Sequence, residues 1–161
     1  MSDSIRPDLE KALDVLIRRS IAEIKAQGHT ATGRGIASFE TQILPTMKGF
    51  IGNILVEDYM LFVDSGTRPH RPPFKAIFDW AKVVKGGISD EEAKRFAWAV
   101  ISTMEKVGIP SPGSYAYSSN GRRKEWSKFA IAAAESDIGK ILLDSDWLER
   151  RIDNIIRESQ K

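Results

Sequence analysis

The chain has 161 residues, 42% of them hydrophobic and 29% charged, with a formal charge of +2, which suits one globular domain with its own core. It has no cysteine, which excludes disulfides, thiolate metal sites and a cysteine nucleophile, and its only histidines are His29 and His70. The small charge gives no argument for nucleic acid by itself, no apolar run reaches membrane-spanning length, and "MSDSIRPDLEK" lacks a signal core, so synthesis and retention in a cytoplasm-like compartment are expected.

In chain order, "PDLEKALDVLIRRSIAEIKAQG" predicts an amphipathic helix, with Pro7 in its first turn, Leu9, Leu13, Leu16, Ser20 and Ile24 on one face, and Gly28 as its stop. "TATGRGIASF" is a Gly/Thr-rich turn leading into extended runs up to residue 64. A strand is expected through "FIGNILVED", where Phe50, Gly52, Ile54 and Val56 alternate with Ile51, Asn53, Leu55 and Glu57. Its partner is expected at Ser38–Leu44, with Pro45–Gly49 as the turn. "PFKAIFDWAKVVKGG" predicts a short helix opened by Pro73, with Phe74, Ile77, Ala81 and Val84 as its stripe. A second helix follows, announced by a Ser89–Glu92 capping box and closed by Gly108, Ile109 and Pro110. Residues 111–127 form a long polar loop, the kind that in a small domain carries function or moves. From Lys128 to Leu143 the alanines favour a helix, whereas Gly139 and Ser136-Asp137 favour a break. A terminal helix over 144–159 is capped near Asp144–Asp146 and carries Leu148, Ile152 and Ile155 on one face. The reading is a single α+β domain: a core of about residues 7–110, in which a long N-terminal helix and two or three further helices pack on a small antiparallel sheet, then the 111–127 loop and the C-terminal helix. Phe50, Ile54, Ile77, Phe96, Val100, Ile101 and Met104 are the expected core.

"FVDSGTRPHRPPF", residues 62–74, is the least ordinary stretch. As a phosphate cradle, neither its Ser-Gly-Thr nor the earlier Thr-Gly-Arg-Gly has the glycine spacing that aims successive amides at phosphates. As a metal or acid–base site, Asp64, Ser65 and His70 lack ligand or elbow spacing, and both histidines read as solvated. As a strap, three prolines in five residues hold the chain extended, remove amide donors and confine it to a surface, its own or a neighbour's. Such a segment loses little entropy on docking, and Arg68 and Arg71 offer forked donors to carboxylates. Arg68, Pro69, His70, Arg71 and Pro72 are therefore candidate protein-interface residues. Tyr115, Tyr117, Arg122, Arg123 and Trp126 of the polar loop join them. There the cluster Arg122, Arg123, Lys124 and Lys128, interleaved with aromatics, also admits a second reading as a nucleic-acid contact. No cofactor, metal or catalytic set is expected.

The order "TGRG…S" at 32–38, "DYMLFVDSGTRPHRPP" at 58–73, "AIFDWAKVVKGG" and "KVGIP" at 106–110 resembles the neck or tail-completion proteins of tailed bacteriophages, the head–tail connector family that includes the lambda-type minor tail protein Z. The resemblance spans about residues 30–112. Thr32, Gly33 and Arg34 match its first turn; Tyr59, Phe62, Val63, Gly66 and Thr67 its central motif; Pro73, Ile77 and Trp80 its strap and helix; Gly108 and Pro110 its end. Met60 replaces a usual alanine, and Asp64 a usual glutamate. The resemblance implies a structural virion protein of α+β fold rather than an enzyme, found in the neck or tail and in host cytoplasm during assembly. It further implies ring assembly, commonly of six copies, against neighbouring connector, tail-terminator or tail-tube proteins, with DNA of the channel nearby and no membrane.

Overall fold

The computed structural model describes residues 5–47 and 49–159. The fold is α+β: seven helices and a two-stranded antiparallel hairpin among the described residues. Helix α1 (Arg6–Ala26) carries Pro7 in its first turn and buries Ala12, Leu13, Ser20 and Ile24. It packs along helix α6 (Trp126–Leu143), whose buried residues include Ala130 and Ala134. Small residues on both helices let the two axes approach closely, and Arg19 closes the pair with an ion pair to Asp137 at 2.7 Å. The ambiguity over 128–143 is thus resolved as one continuous helix. Packing along α1 offsets the roughly 1 kcal/mol that Gly139 costs a helix interior.

Strands β1 (Glu40–Thr46) and β2 (Gly49–Leu55) pair in register Ile43↔Gly52 and Leu44↔Ile51. The alternation expected in β2 is present: Gly52 faces α1, where Leu9 and Leu13 sit over it, and Ile51 and Leu55 face outward. The turn is tighter than expected, because Pro45 lies inside β1 opposite Phe50. A proline is tolerated there since β1 is an edge strand with one side open. Two further segments read as turn or extended are helical: α2 (Arg34–Ala37) and α3 (Tyr59–Ser65). The seven-residue run of α3 is too short for periodicity to separate helix from strand.

Helices α4 (Phe74–Lys85) and α5 (Asp90–Val107) form a hairpin, as the stripes predict. Ala81, Ala93 and Ala97 are buried between them, while Trp80 stacks on Phe96 with centroids 5.9 Å apart. The Ser89 capping box is complete: Glu92 N donates to Ser89 Oγ, and Ser89 N donates to Glu92 Oε2 at 2.9 Å. A 3-10 turn (Pro112–Tyr117) leads into α6, and α7 (Asp146–Ser159) ends the described chain, its first turn capped by Ser145 Oγ.

The centre of the core differs from expectation. Ile101 and Met104 are buried, but Phe50, Ile54, Ile77, Phe96 and Val100 are only partly so. The innermost cluster is Ile24, Met60 and Trp126, surrounded by Ile36, Phe39, Val56 and Val63. It joins α1, α3 and α6, elements whose meeting no local pattern announces. No helix among the described residues is long and apolar enough to cross a membrane.

Candidate functional site: the proline strap and its cleft

Two separated glycines allow the strap to lie on the end of α5. Gly66 and Gly108 both have positive φ, and beyond them Thr67 and Ile109 form an antiparallel bridge. Thr67 N donates to Ile109 O at 2.8 Å, Ile109 N returns a bond to Thr67 O at 3.3 Å, and His70 N donates to Met104 O at 3.2 Å. The strap therefore adds a second donor to the Met104 carbonyl, which already accepts from Gly108 N at 2.9 Å. It covers its own chain first. Pro72 is buried and unavailable to a partner, and Arg71 pairs with Glu105 at 3.3 Å while lying over the Trp98 ring. Arg68, Pro69 and His70 remain exposed, as an interface requires.

Asp64 has an internal role. Its Oδ1 accepts from Ser127 N at 2.9 Å and its Oδ2 from Ser127 Oγ at 2.6 Å, while its main-chain oxygen accepts from Glu125 N at 2.7 Å. Helix α6 begins at a left-handed Glu125 with no capping side chain of its own, and Asp64 supplies the missing acceptor from across the fold. Ser65 Oγ donates to Leu61 O, and His70 Nδ1 donates to Arg68 O at 2.9 Å. Asp64, Ser65 and His70 thus turn to three different partners. Asp64→Asn is expected to lower stability by about 1–2 kcal/mol, because the amide presents at most one acceptor to Ser127. Urea denaturation measures this, and an unchanged midpoint would contradict the cap.

The first-turn motif is built around a close approach. Arg34 Nε donates to Glu57 Oε1 at 2.7 Å, Ser38 Oγ donates to Gly35 O, and Glu57 N donates to Ser38 Oγ. A side chain at Gly35 would meet the Tyr59 hydroxyl and the Met60 sulfur, each 2.4 Å from its Cβ. Burial and the Glu57 charge push the Tyr59 phenol up from its ordinary value. Arg34, Gly35 and Ser38 therefore bind the turn to Glu57 and the start of α3, while Thr32 Oγ1 accepts from Arg34 N inside the turn and Gly33 supplies its positive φ.

The 111–127 loop is held to the chain's own surface along much of its length. It closes the C-terminal end of α1, whose last carbonyls lack helical partners. Ser119 N donates to Ala26 O at 2.8 Å, Arg123 Nη1 donates to Gln27 O, and Gln27 Nε2 donates to Lys124 O at 3.0 Å. Glu23 gathers Gln27, Asn120 and a two-pronged contact from Arg122, whose guanidinium also lies over Phe129. Burial raises the Glu23 carboxyl, but the Arg122, Gln27 and Asn120 bonds outweigh it and hold the group below its usual range. Three sequence-predicted interface residues therefore change role. Arg122 is committed to Glu23 and Arg123 to the end of α1. Trp126 is 6% exposed, its Nε1 donating to Met60 O, so it is core rather than a surface anchor. Tyr115 and Tyr117 stay exposed.

His29, expected to be solvated, is half-buried, with Nε2 3.1 Å from Arg123 O. Burial and the Arg123 charge lower its pKa to about 4. The unfolded chain accepts this proton first, near pH 6.5, so the contribution is complete above that pH and is lost as pH falls toward 4. The expected loss is about 1–2 kcal/mol, less than full linkage because the ring keeps some solvent contact. Urea midpoints measured across this range should fall in the native chain and flatten in His29→Gln. Equal slopes would contradict the assignment.

Between the strap, the end of α5 and the loop lies a cleft of about 530 Å³, bordered by Thr67, Arg68, Ile109, Pro110, Tyr115 and Lys124. A more apolar hollow formed by Phe62, Pro69 and His70 adjoins it through Thr67 and Arg68. No group of three metal-ligating side chains occurs among the described residues. Glu23 and Ser127 have no sequence motif that marks them. Their partners Arg122 and Asp64 lie tens of residues away, so no local spacing signals them. Comparison with protein-family models, with curated proteins and with solved structures gives no match to this chain.

Proposed function

We propose that this chain is a structural virion protein of a tailed phage or prophage, completing the tail or joining it to the head in the neck region. It acts by ring assembly, six copies by the resemblance, and by contacts with neighbouring connector, tail-terminator or tail-tube proteins. The observation that carries the reading is the shared mechanical role of the motif residues. Arg34 and Tyr59 fasten the first turn, Asp64 caps α6, and Gly66, Thr67, Gly108 and Pro110 seat the strap at the end of α5. The resemblance thus describes one braced module that presents Arg68, Pro69 and His70. Exposed apolar side chains support the same reading: Leu44, Met47, Ile51 and Leu55 on the hairpin, and Leu61 and Phe62 on α3. The nucleic-acid alternative gains nothing from the geometry, since Arg122, Arg123 and Trp126 are engaged internally.

Imaging purified particles of the source phage or prophage tests the proposal. Density for this chain as a ring between portal and tail tube is expected, and loss of the chain should leave heads and tails unjoined. Particles that lack the chain would overturn it.

A further inference from the structure

The cleft beside the strap contains two cations that no carboxylate among the described residues neutralises. Arg68 and Lys124 form no ion pair among the described residues, and no carboxylate lines the cleft. Ser65, Thr67 and Tyr115 add hydroxyls to its wall. The adjoining hollow is apolar, with Phe62 60% exposed beside Pro69. An occupant should therefore present an apolar stripe with acidic side chains along one edge.

Helix α7 has that arrangement. At 100° per residue, Leu148, Ile152 and Ile155 fall on one stripe, and Glu149 and Asp153 lie along a single flank of it. Ile152 and Ile155 are 48% and 52% exposed, and neither Glu149 nor Asp153 has an ion pair among the described residues. A helix of 14 residues is marginal in water without an apolar face packed against something.

The same chain cannot supply this helix to its own cleft. The cleft lies at the N-terminal end of α6, beside Lys124, whereas α7 starts just past the C-terminal end at Leu143. The 18 residues of α6 separate these ends by about 27 Å, while Asp153 and Ile155 lie only about 10–14 Å along α7 from its start.

We propose that the groove made by the Arg68–Lys124 cleft and the Phe62–Pro69 hollow receives helix α7 of a second copy of this chain. The contact joins two different patches, so it is head-to-tail and closes into a ring where the rotation permits. It deepens the ring reading above and rests on it.

The cysteine-free sequence permits a direct test. Tyr115→Cys, on the cleft wall, and Asp153→Cys, on α7, are made in separate full-length chains, mixed at millimolar concentration and mildly oxidised. The mixed disulfide dimer should exceed either homodimer at least tenfold. Adding Arg68→Glu and Lys124→Glu to the first chain should remove that excess, with the fold checked by circular dichroism. Adding Glu149→Lys to the second chain should then restore part of it. A mixed dimer no more abundant than the homodimers, or one unaffected by the charge reversals, overturns the inference. Particle imaging reads the neck assignment separately: a ring present in virions without this cross-link sinks only the α7 contact, and absence from particles sinks the neck assignment.

Discussion

Trp126→Ala is expected to destabilise the protein by about 3–5 kcal/mol, a large share of the total stability of a domain this size. The side chain is 6% exposed and meets Phe39 edge-on with centroids 5.7 Å apart. It sits in the one cluster that joins α1 through Ile24, α3 through Met60 and α6 through its own first turn. Truncation removes the apolar contact, opens a cavity that three helices cannot collapse together, and leaves Met60 O without its Nε1 donor. Trp126→Phe separates these effects. It keeps much of the ring volume and loses the bond, so a cost of about 1–2 kcal/mol is expected. Urea denaturation of the three chains measures both. A loss under ~1 kcal/mol for the alanine variant would place this residue outside the core and return it to the surface role its neighbours suggest.

Gly108→Ala should cost about 3 kcal/mol, which is unusual for adding one methyl group. Gly108 has φ of +76°, and a Cβ there would lie 2.1 Å from Thr67 O and 2.8 Å from the Arg68 carbonyl carbon. The backbone, at φ +76° and ψ −156° in a region essentially confined to glycine, accounts for about 1–2 kcal/mol, and the rest comes from pushing away the strap and its bonds to Ile109. Gly121→Ala is the control: its φ is +73°, but nothing lies within 4 Å of the added carbon. It should cost only the conformational part, about 1 kcal/mol. Hydrogen exchange at the Thr67 and Ile109 amides should accelerate in the Gly108 variant alone. Equal effects of the two substitutions would mean that the strap is not seated on α5.

These two sites stand at opposite ends of what the sequence discloses. Gly108 was marked by its place after an apolar stripe and before Pro110, although the backbone it approaches was not. Trp126 was marked by the wrong context. Its neighbours Arg122, Arg123 and Lys124 suggested a basic surface, but Arg122 and Arg123 turn inward because Glu23 and the open end of α1 lie beneath them. Charge in a loop signals solvent only when no buried carboxylate or unpaired carbonyl is within reach. That depends on positions 96–99 residues away in the chain.

The sequence by itself determined α1, the α4–α5 hairpin, the capping box and the alternation of β2, because each is written in spacings of two to four residues. It also marked the strap as a surface segment, since prolines remove the donors a sheet needs. Only the tertiary structure decided that α6 is unbroken, that Asp64 caps it, and that the core centres on Ile24, Met60 and Trp126. Those outcomes turn on which elements meet, through bonds and packing between distant residues, and no local period carries that information.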